Sequence, residues 1–284
     1  MQARLEPPDM HGAAHVDCMG VFLTVILAQS ICIWVASHGY ERTIYVDPRN
    51  TAGVPNILMG KHGAKMGVIN PSCDNAQYHL DVDYGGSPKE YTCTMKEFLW
   101  YMTVGGWHHS IYKCNRVKKG YRPYHYCMDK RIIYSDAIPT HEGHRPLWPV
   151  YGEYKYVPPQ RWLHNIEHGA VVMLYHPCAP MWFVDKLRKL VRDCLRKHII
   201  TPYRQLTLQR PLALVAWRCK LEMSHVNTRE VIKFIKEHAL KGPEGRFSME
   251  GQYSYMLLAK AHPPSGSDMD DANLCPAAWD NLDE

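Results

Sequence analysis

The sequence predicts an α+β fold, in which a small mixed sheet with two amphipathic helices is preceded by a loop-rich, disulfide-stapled region. Three observations lead to this prediction. Residues 170–175 form a continuous apolar run with the length of a buried strand. Residues 182–199 and 229–241 repeat apolar side chains at helical spacing. Eight of the 10 cysteines follow residue 37, an even number that is typical of paired cysteines.

The first element is an uncharged apolar segment at residues 18–35. It contains a stretch with the length of a signal-peptide core, and Val35, Ala36 and Ser37 offer a cleavage site. We therefore expect residues 1–37 to be a cleaved signal peptide. A retained signal anchor is the alternative, because the segment is nearly long enough to span a bilayer. No second apolar run of that length follows, so we expect a secreted, extracellular protein without a transmembrane span, or a membrane-tethered one if the anchor is retained.

Residues 38–135 form an amino-terminal region that is rich in cysteine and tyrosine and poor in amphipathic periods. The cysteines after residue 37 predict up to four disulfides in an oxidising compartment. A cytosolic protein with eight buried thiols is the alternative. The pairing stays open, and the absence of a CxxC motif disfavours a zinc ribbon. These cysteines are Cys73, Cys93, Cys114, Cys127, Cys178, Cys194, Cys219 and Cys275.

Residues 136–242 contain the most regular part of the chain and are expected to form the α+β domain. The predicted elements are a helix at 160–168, a strand at 170–175, a helix at 182–199 that stops before Pro202, strands at 206–208 and 212–217, and a helix at 229–241 that Asn227 or Thr228 caps and Gly242 and Pro243 end. Residues 243–284 are a carboxy-terminal tail, acidic from residue 268. We expect this tail to be solvated unless Cys275 holds it to the domain.

The charge balance is mild, with 33 basic and 28 acidic residues and a net charge of +5. Domains that bind nucleic acids show denser basic clustering, so no nucleic-acid partner is expected. The chain also lacks a nucleophile elbow, a phosphate-binding loop and a dinucleotide-binding fingerprint. We therefore favour a binding or interaction module whose partner is an extracellular protein or glycan.

The segment RWLHNIEHGAVVMLYH at 161–176 is the most informative stretch. His164 and His168 are four residues apart, so both imidazoles project from one face of the predicted helix. Two such ligands can bind one borderline metal ion, zinc or copper. Glu167 between them can act as a base, a ligand or a partner that orients an imidazole. The same string matches the His-x-x-Glu-His signature of inverted zinc peptidases, but the helix is short for that class.

The string HNIEHGAVVMLYHP resembles the hallmark of the domain of unknown function 3105 family of exported proteins. In its longer form, PPQRWLHNIEHGAVVMLYHPCA, it is similar to the animal branch, the p53-inducible protein 13 family. The resemblance spans residues 139–242 and implies a fold and a histidine site rather than a reaction. A family element rich in proline and histidine is matched by the residues 143–146, which adds His144 to the candidate ligands.

We expect His144, His164 and His168 to form a zinc or copper site, with His141 and His176 in reserve. Three imidazoles with an open fourth position suit a catalytic or exchangeable metal. The favoured hypothesis is a secreted, disulfide-stabilised binding module that carries this site. The alternatives are a metal-dependent hydrolase or redox enzyme that uses Glu167 as its base, and a purely structural network of polar side chains.

Overall fold

A computed structural model describes residues 59–245 and 249–277, so the predicted signal segment lies outside the described residues. The helices of the described part are α1 Met95–Val104, α2 Pro159–Glu167, α3 Met181–Cys194 and α4 Thr228–His238. The strands are β1 Met59–Gly60, β2 Gly63–Ala64, β3 Ile111–Cys114, β4 Gly152–Tyr154, β5 Val171–Tyr175, β6 His198–Pro202, β7 Leu212–Ala216, β8 Cys219–Met223 and β9 Leu257–Lys260. None of the helices in the described ranges has the length and apolar character that crossing a bilayer requires.

Seven of these strands form one mixed sheet in the order β3-β8-β7-β5-β6-β4-β9. β6 pairs in parallel with both β4 and β5, whereas the other pairs are antiparallel. This confirms the predicted α+β class and its mixed sheet. The two edge strands come from outside residues 136–242, since β3 precedes that segment and β9 follows it.

The central strand β5 is buried on both faces, which explains why its sequence is continuously apolar. Val171 and Met173 pack into a core with the buried residues of α3 and α4. Val172 and Leu174 point to the opposite face, into a core shared with the buried residues of α2. The sheet therefore lies between two layers. One layer contains α3 and α4, and the other contains α2 together with Ala76 of the amino-terminal region.

The prediction of a helix over 182–199 is wrong at its carboxyl end. α3 ends at Cys194, Leu195 is extended, and His198–Pro202 forms the fully buried strand β6. The amphipathic pattern stops where consecutive β-branched residues begin, and these favour a strand when both faces of a sheet are covered. The predicted strand at 206–208 is also wrong, because those residues lie in a turn region.

α4 begins as predicted and ends three residues earlier than predicted. The side chain of Asn227 accepts a hydrogen bond from the backbone N–H of Glu230 at 3.2 Å, which caps the helix. Its carboxyl end lies at His238 because Ala239 is extended and Leu240 adopts a positive φ of 62°. The chain then turns back toward the end of α2, where the candidate site lies.

All eight described cysteines are paired, which confirms the predicted four disulfides. The pairs are Cys73–Cys127, Cys93–Cys178, Cys114–Cys219 and Cys194–Cys275. Two of them join the amino-terminal region to the sheet or to the segment before α3. The fourth holds the tail, and buried Asp271 accepts hydrogen bonds from the backbone N–H groups of Arg196 and Lys197 at 2.5 and 2.8 Å. The first part of the acidic tail is therefore docked rather than simply solvated.

Candidate metal centre

Four buried side chains from three segments of the chain meet beside α2. They are His125, His144, His164 and Glu167, and one ligand atom from each lies within 4.8 Å of the others. Three of them are at most 1% exposed, and His125 is 7% exposed. Two residues that the sequence predicts as ligands, His144 and His164, are thus brought together with Glu167.

α2 positions two of the four side chains. Pro159 stands in its first turn, where a missing N–H costs nothing, and the helix carries His164 and Glu167 three residues apart on one face. Gly169 ends the helical segment with a φ of +82°, and a Cβ there would lie 2.6 Å from the Cα of Leu240. Only glycine permits this turn and this close approach, which place the end of α2 against the loop after α4.

His125 and His144 are positioned by two extended segments that pair side by side. The N–H of His144 donates to the carbonyl of Tyr124 at 3.0 Å, and the N–H of Tyr126 donates to the carbonyl of His144 at 2.8 Å. On the other side, β2 approaches so closely that a Cβ on Gly63 would lie 2.2 Å from the carbonyl oxygen of His125. The rings therefore project from backbone that is fixed on both sides.

The hydrogen bonds of the three imidazoles determine which ring nitrogen carries the proton. Nδ1 lies 3.3 Å from the carbonyl of Ala64 in His125 and 2.9 Å from the carbonyl of Glu142 in His144. In His164 it lies 2.6 Å from the carbonyl of Arg145. A carbonyl oxygen can only accept, so each Nδ1 donates. Each neutral ring then keeps a lone pair on Nε2.

Two of these Nε2 atoms lie close to one carboxylate oxygen. Oε2 of Glu167 lies 3.1 Å from Nε2 of His144 and 3.4 Å from Nε2 of His125. Nε2 of His164 is buried and has no hydrogen-bond partner among the described residues. Acceptors that face one another away from water are unfavourable unless a cation lies between them. Four ligands about 2.0–2.1 Å from a tetrahedral zinc ion are separated by roughly 3.3 Å, which the two distances to Glu167 match.

Burial and neighbouring charges favour the protonation states that a metal ion requires. Burial lowers the pKa of His144, although the Glu167 carboxylate opposes that shift. Burial and the nearby His144 ring lower the pKa of His164 well below its usual value. Burial disfavours ionisation of Glu167, but hydrogen bonds from protonated Nε2 atoms of His125 and His144 outweigh burial and lower the pKa of Glu167 to about 2. When those protons are absent, a metal ion between the same atoms supplies the positive charge that keeps the carboxylate ionised. These pKa shifts leave the His144 and His164 rings neutral and the Glu167 carboxylate ionised at neutral pH, as metal ligation demands.

His168 lies beside this group but outside it. Its ring stacks on His164 with centroids 4.9 Å apart and contacts Trp148 at 4.4 Å, and burial lowers its pKa to about 4. The two histidines do share a helix face, as predicted. However, His168 is the residue that ends α2, whereas Glu167 is the neighbour that meets the other ligand atoms.

The two reserve histidines lie elsewhere. His141 is partly exposed, with Nδ1 3.1 Å from the hydroxyl of Thr140. Nδ1 of His176 accepts a hydrogen bond from the backbone N–H of Cys178 at 3.1 Å. Sequence reasoning missed His125, which stands between Tyr124 and Tyr126. The sequence did offer one indication of its role. His125 lies two residues before Cys127, so an expected disulfide would hold its backbone in place.

Two buried arginines next to the site form ion pairs with the segment at 74–83. The guanidinium of Arg145, whose carbonyl accepts from His164, binds Asp83 with Nε–Oδ2 at 2.8 Å. Arg161 binds Asp74 with a 2.5 Å Nη1–Oδ2 distance. Breaking a buried pair of this kind leaves an uncompensated charge and costs several kcal/mol. Both pairs tie the segment at 74–83 to the residues that carry the ligands.

Comparison with known proteins matches residues 125–251 to the family described as "Protein of unknown function (DUF3105)". The tumor protein p53-inducible protein 13 of Rattus norvegicus is 30% identical over 93 residues, which cover 32% of this chain and 23% of the relative. The Mus musculus protein of the same name is 31% identical over 107 residues, 35% of this chain and 27% of the relative. The chain thus matches about a quarter of the length of these relatives. No solved structure matches. The family match confirms the resemblance and begins at His125.

Proposed function

We propose that this chain, whose residues 125–251 match the DUF3105 family, is a secreted, disulfide-bonded extracellular binding module built around a metal centre. The ligands are His125, His144, His164 and Glu167, and the metal is zinc or copper. One observation carries the proposal. Three imidazoles donate through Nδ1 to backbone carbonyls, which aims three buried Nε2 lone pairs and one carboxylate oxygen at a common point. Backbone carbonyls that orient metal-binding histidines in this way are a general feature of metal sites.

The number and burial of the ligands support a structural role for the metal. Structural zinc sites have four protein ligands, whereas catalytic sites keep a position for water or substrate. Here four candidate ligands come together and are almost completely buried. With Glu167 as a ligand, its carboxylate is not free to act as a general base. This favours the binding module over the hydrolase or redox enzyme.

The location of the ligands suggests what the metal stabilises. His125 belongs to the amino-terminal region and hydrogen-bonds Ala64, whereas His164 and Glu167 belong to α2. A metal ion bound to all of them would fasten that region to the domain. Two disulfides act at the same junction, a third lies within the amino-terminal region and a fourth holds the tail, as expected for a protein of the extracellular space.

An exposed apolar stripe on α1 supports a protein partner. Met95, Phe98, Leu99 and Met102 follow helical spacing and are 72%, 45%, 58% and 65% exposed. Large apolar side chains grouped in this way mark interaction sites, whereas single ones are ordinary. We therefore favour an extracellular protein over a glycan as the partner. Labelled wild-type protein is expected to bind intact cells better than Leu99→Glu. The matched control is Ile133→Glu, at an isolated residue that is 81% exposed.

The metal content of the protein tests the proposal directly. The secreted protein is purified without chelator, and zinc and copper are measured by plasma mass spectrometry. We expect close to one ion per chain, which His164→Ala abolishes and His262→Ala, at an exposed histidine, leaves unchanged. Metal-free wild-type protein with an intact fold would overturn the metal centre. Full metal content in His164→Ala would overturn the assignment of its ligands.

A further inference from the structure

The Cys114–Cys219 disulfide lies at an open edge of the seven-stranded sheet. Cys114 is the last residue of β3, an edge strand whose residues are all exposed. Cys219 lies directly opposite in β8 and is only 3% exposed. One sulfur is therefore accessible to a molecule in solution, and its partner faces the protein.

Two polar side chains stand beside this disulfide. The hydroxyl of Tyr112 lies 3.2 Å from Sγ of Cys114 and 2.8 Å from Nε2 of His238. A ring nitrogen of His238 lies within 4.8 Å of both sulfurs. A hydroxyl and an imidazole at these distances can stabilise negative charge on sulfur, which makes a thiolate a better leaving group.

A cavity lies next to this disulfide, on the side of Tyr112. Tyr112 lines this cavity of about 260 Å³ between the sheet edge and α4, together with Leu221, Phe234, Glu230 and Glu237. An apolar floor with charged walls suits a thiol that carries polar groups. Access to Cys114 is thus paired with a surface on which an incoming molecule can rest.

We propose that this disulfide is a thiol-exchange site that captures an external thiol on Cys114. The attacking thiolate forms a bond to Sγ of Cys114, and the bond between Cys114 and Cys219 breaks. The incoming sulfur is oxidised to a mixed disulfide while Cys219 is reduced to a thiolate. The Tyr112 hydroxyl, which lies 2.8 Å from Nε2 of His238, and the His238 ring, which has a nitrogen within 4.8 Å of both sulfurs, stabilise that charge electrostatically until Cys219 takes up the proton that the external thiol lost. The site shares no residue with the metal centre and is independent of it.

The chain contains its own control. Cys93–Cys178 also combines an exposed cysteine with one that is 4% exposed. In the described part of the chain, no His, Asp or Glu joins these two sulfurs to form a group within 4.8 Å. The remaining two disulfides have both partners buried. Exposure alone predicts equal reactivity at Cys93 and Cys114, whereas the proposal predicts a preference for Cys114.

The experiment exposes the fully oxidised protein to reduced glutathione under native conditions. After a quench with N-ethylmaleimide, non-reducing digestion and mass spectrometry locate each adduct. We expect glutathione on Cys114 and maleimide on Cys219, forming about three- to tenfold faster than the adduct on Cys93. Equal rates, or a faster reaction at Cys93, would overturn the proposal. A second arm replaces glutathione with a basic cysteine peptide. Capture of either probe at Cys114 supports exchange, and the faster probe shows whether small thiols or peptide thiols are preferred.

Two variants separate chemistry from stability. His238→Phe keeps the aromatic packing against Phe234, whose ring centroid lies 4.8 Å away, and Tyr112→Phe keeps its ring. Both are expected to slow capture at Cys114 about three- to tenfold while the rate at Cys93 stays unchanged. A parallel change at both cysteines would indicate loosened structure. An unchanged rate at Cys114 in both variants would also overturn the proposal.

Discussion

Glu167→Gln is expected to change the stability of the protein in opposite directions with and without metal. In the metal-free protein, the Glu167 carboxylate faces the Nε2 lone pairs of His144 and His125 at 3.1 and 3.4 Å. Glutamine has the same shape but carries an amide NH₂ that can donate to both. Each new buried hydrogen bond contributes about 1 kcal/mol, so the variant should be more stable by about 1–2 kcal/mol.

With metal bound, the same substitution removes the charged ligand. A metal at a thousandfold excess over its Kd stabilises the fold by about 4 kcal/mol, and a hundredfold weaker Kd removes about 2.7 kcal/mol of that. For a domain of this size, 1 kcal/mol corresponds to about 2–4 °C in Tm. In zinc, the gain of about 1–2 kcal/mol offsets part of the loss of about 2.7 kcal/mol and leaves a net loss of about 1–2 kcal/mol. We therefore expect Glu167→Gln to melt a few degrees above wild type in chelator and a few degrees below it in zinc.

Differential scanning calorimetry of both proteins, with chelator and with free zinc buffered about a thousandfold above the wild-type Kd, measures this inversion. The competing account makes the imidazoles positively charged partners of Glu167 in a structural network. In that case the variant would lose a buried ion pair and melt lower in both conditions by a similar amount. A decrease in Tm that does not depend on metal would refute the metal centre.

Three further predictions follow from single contacts. His125→Ala, which removes a ligand outside α2, should weaken metal binding at least about tenfold, whereas His262→Ala should not, as titration calorimetry can show. Burial lowers the pKa of His198 to about 4, so this ring stays neutral in the fold. The unfolded chain then binds more protons below about pH 6.5, and stability should fall as pH drops toward 4 by up to about 3 kcal/mol. His198→Asn should remove this ring's share of the pH dependence in denaturant unfolding, while the shares of His164 and His168 remain, and His262→Asn should leave the whole dependence in place. Replacing Cys194 and Cys275 by serine opens a loop with a sequence separation of 81 and should cost about 4 kcal/mol, seen as a lower Tm than in the metal-matched wild type.

Local patterns in the sequence pointed to His164 and Glu167 of the candidate centre, whereas His144 came from the family resemblance. The Pro159 start, the His164–Glu167 spacing and Gly169 specify a short helix and a sharp turn into β5 through contacts within ten residues. Such local features can be predicted from sequence, because proline favours the first turn of a helix and glycine permits the positive φ of a sharp turn.

The contribution of His125 could not be predicted, because it depends on pairing over a long stretch of chain. His125 and His144 lie next to each other through a parallel bridge, and β2 pairs with His125 from about 60 residues earlier. Neither segment has a strand-like pattern. The boundary between α3 and β6 was missed for a related reason, since the β-branched residues of β6 form a strand only because the sheet covers both of their faces.

X-ray absorption spectroscopy of the protein purified without chelator tests the metal centre most directly. The ligand set predicts four nitrogen or oxygen neighbours at about 2.0–2.1 Å, with the outer-shell pattern of three imidazoles. Sulfur neighbours at about 2.3 Å would assign any bound metal to cysteines instead. Together with an unaltered spectrum in His125→Ala, that result would contradict the His125, His144, His164 and Glu167 site.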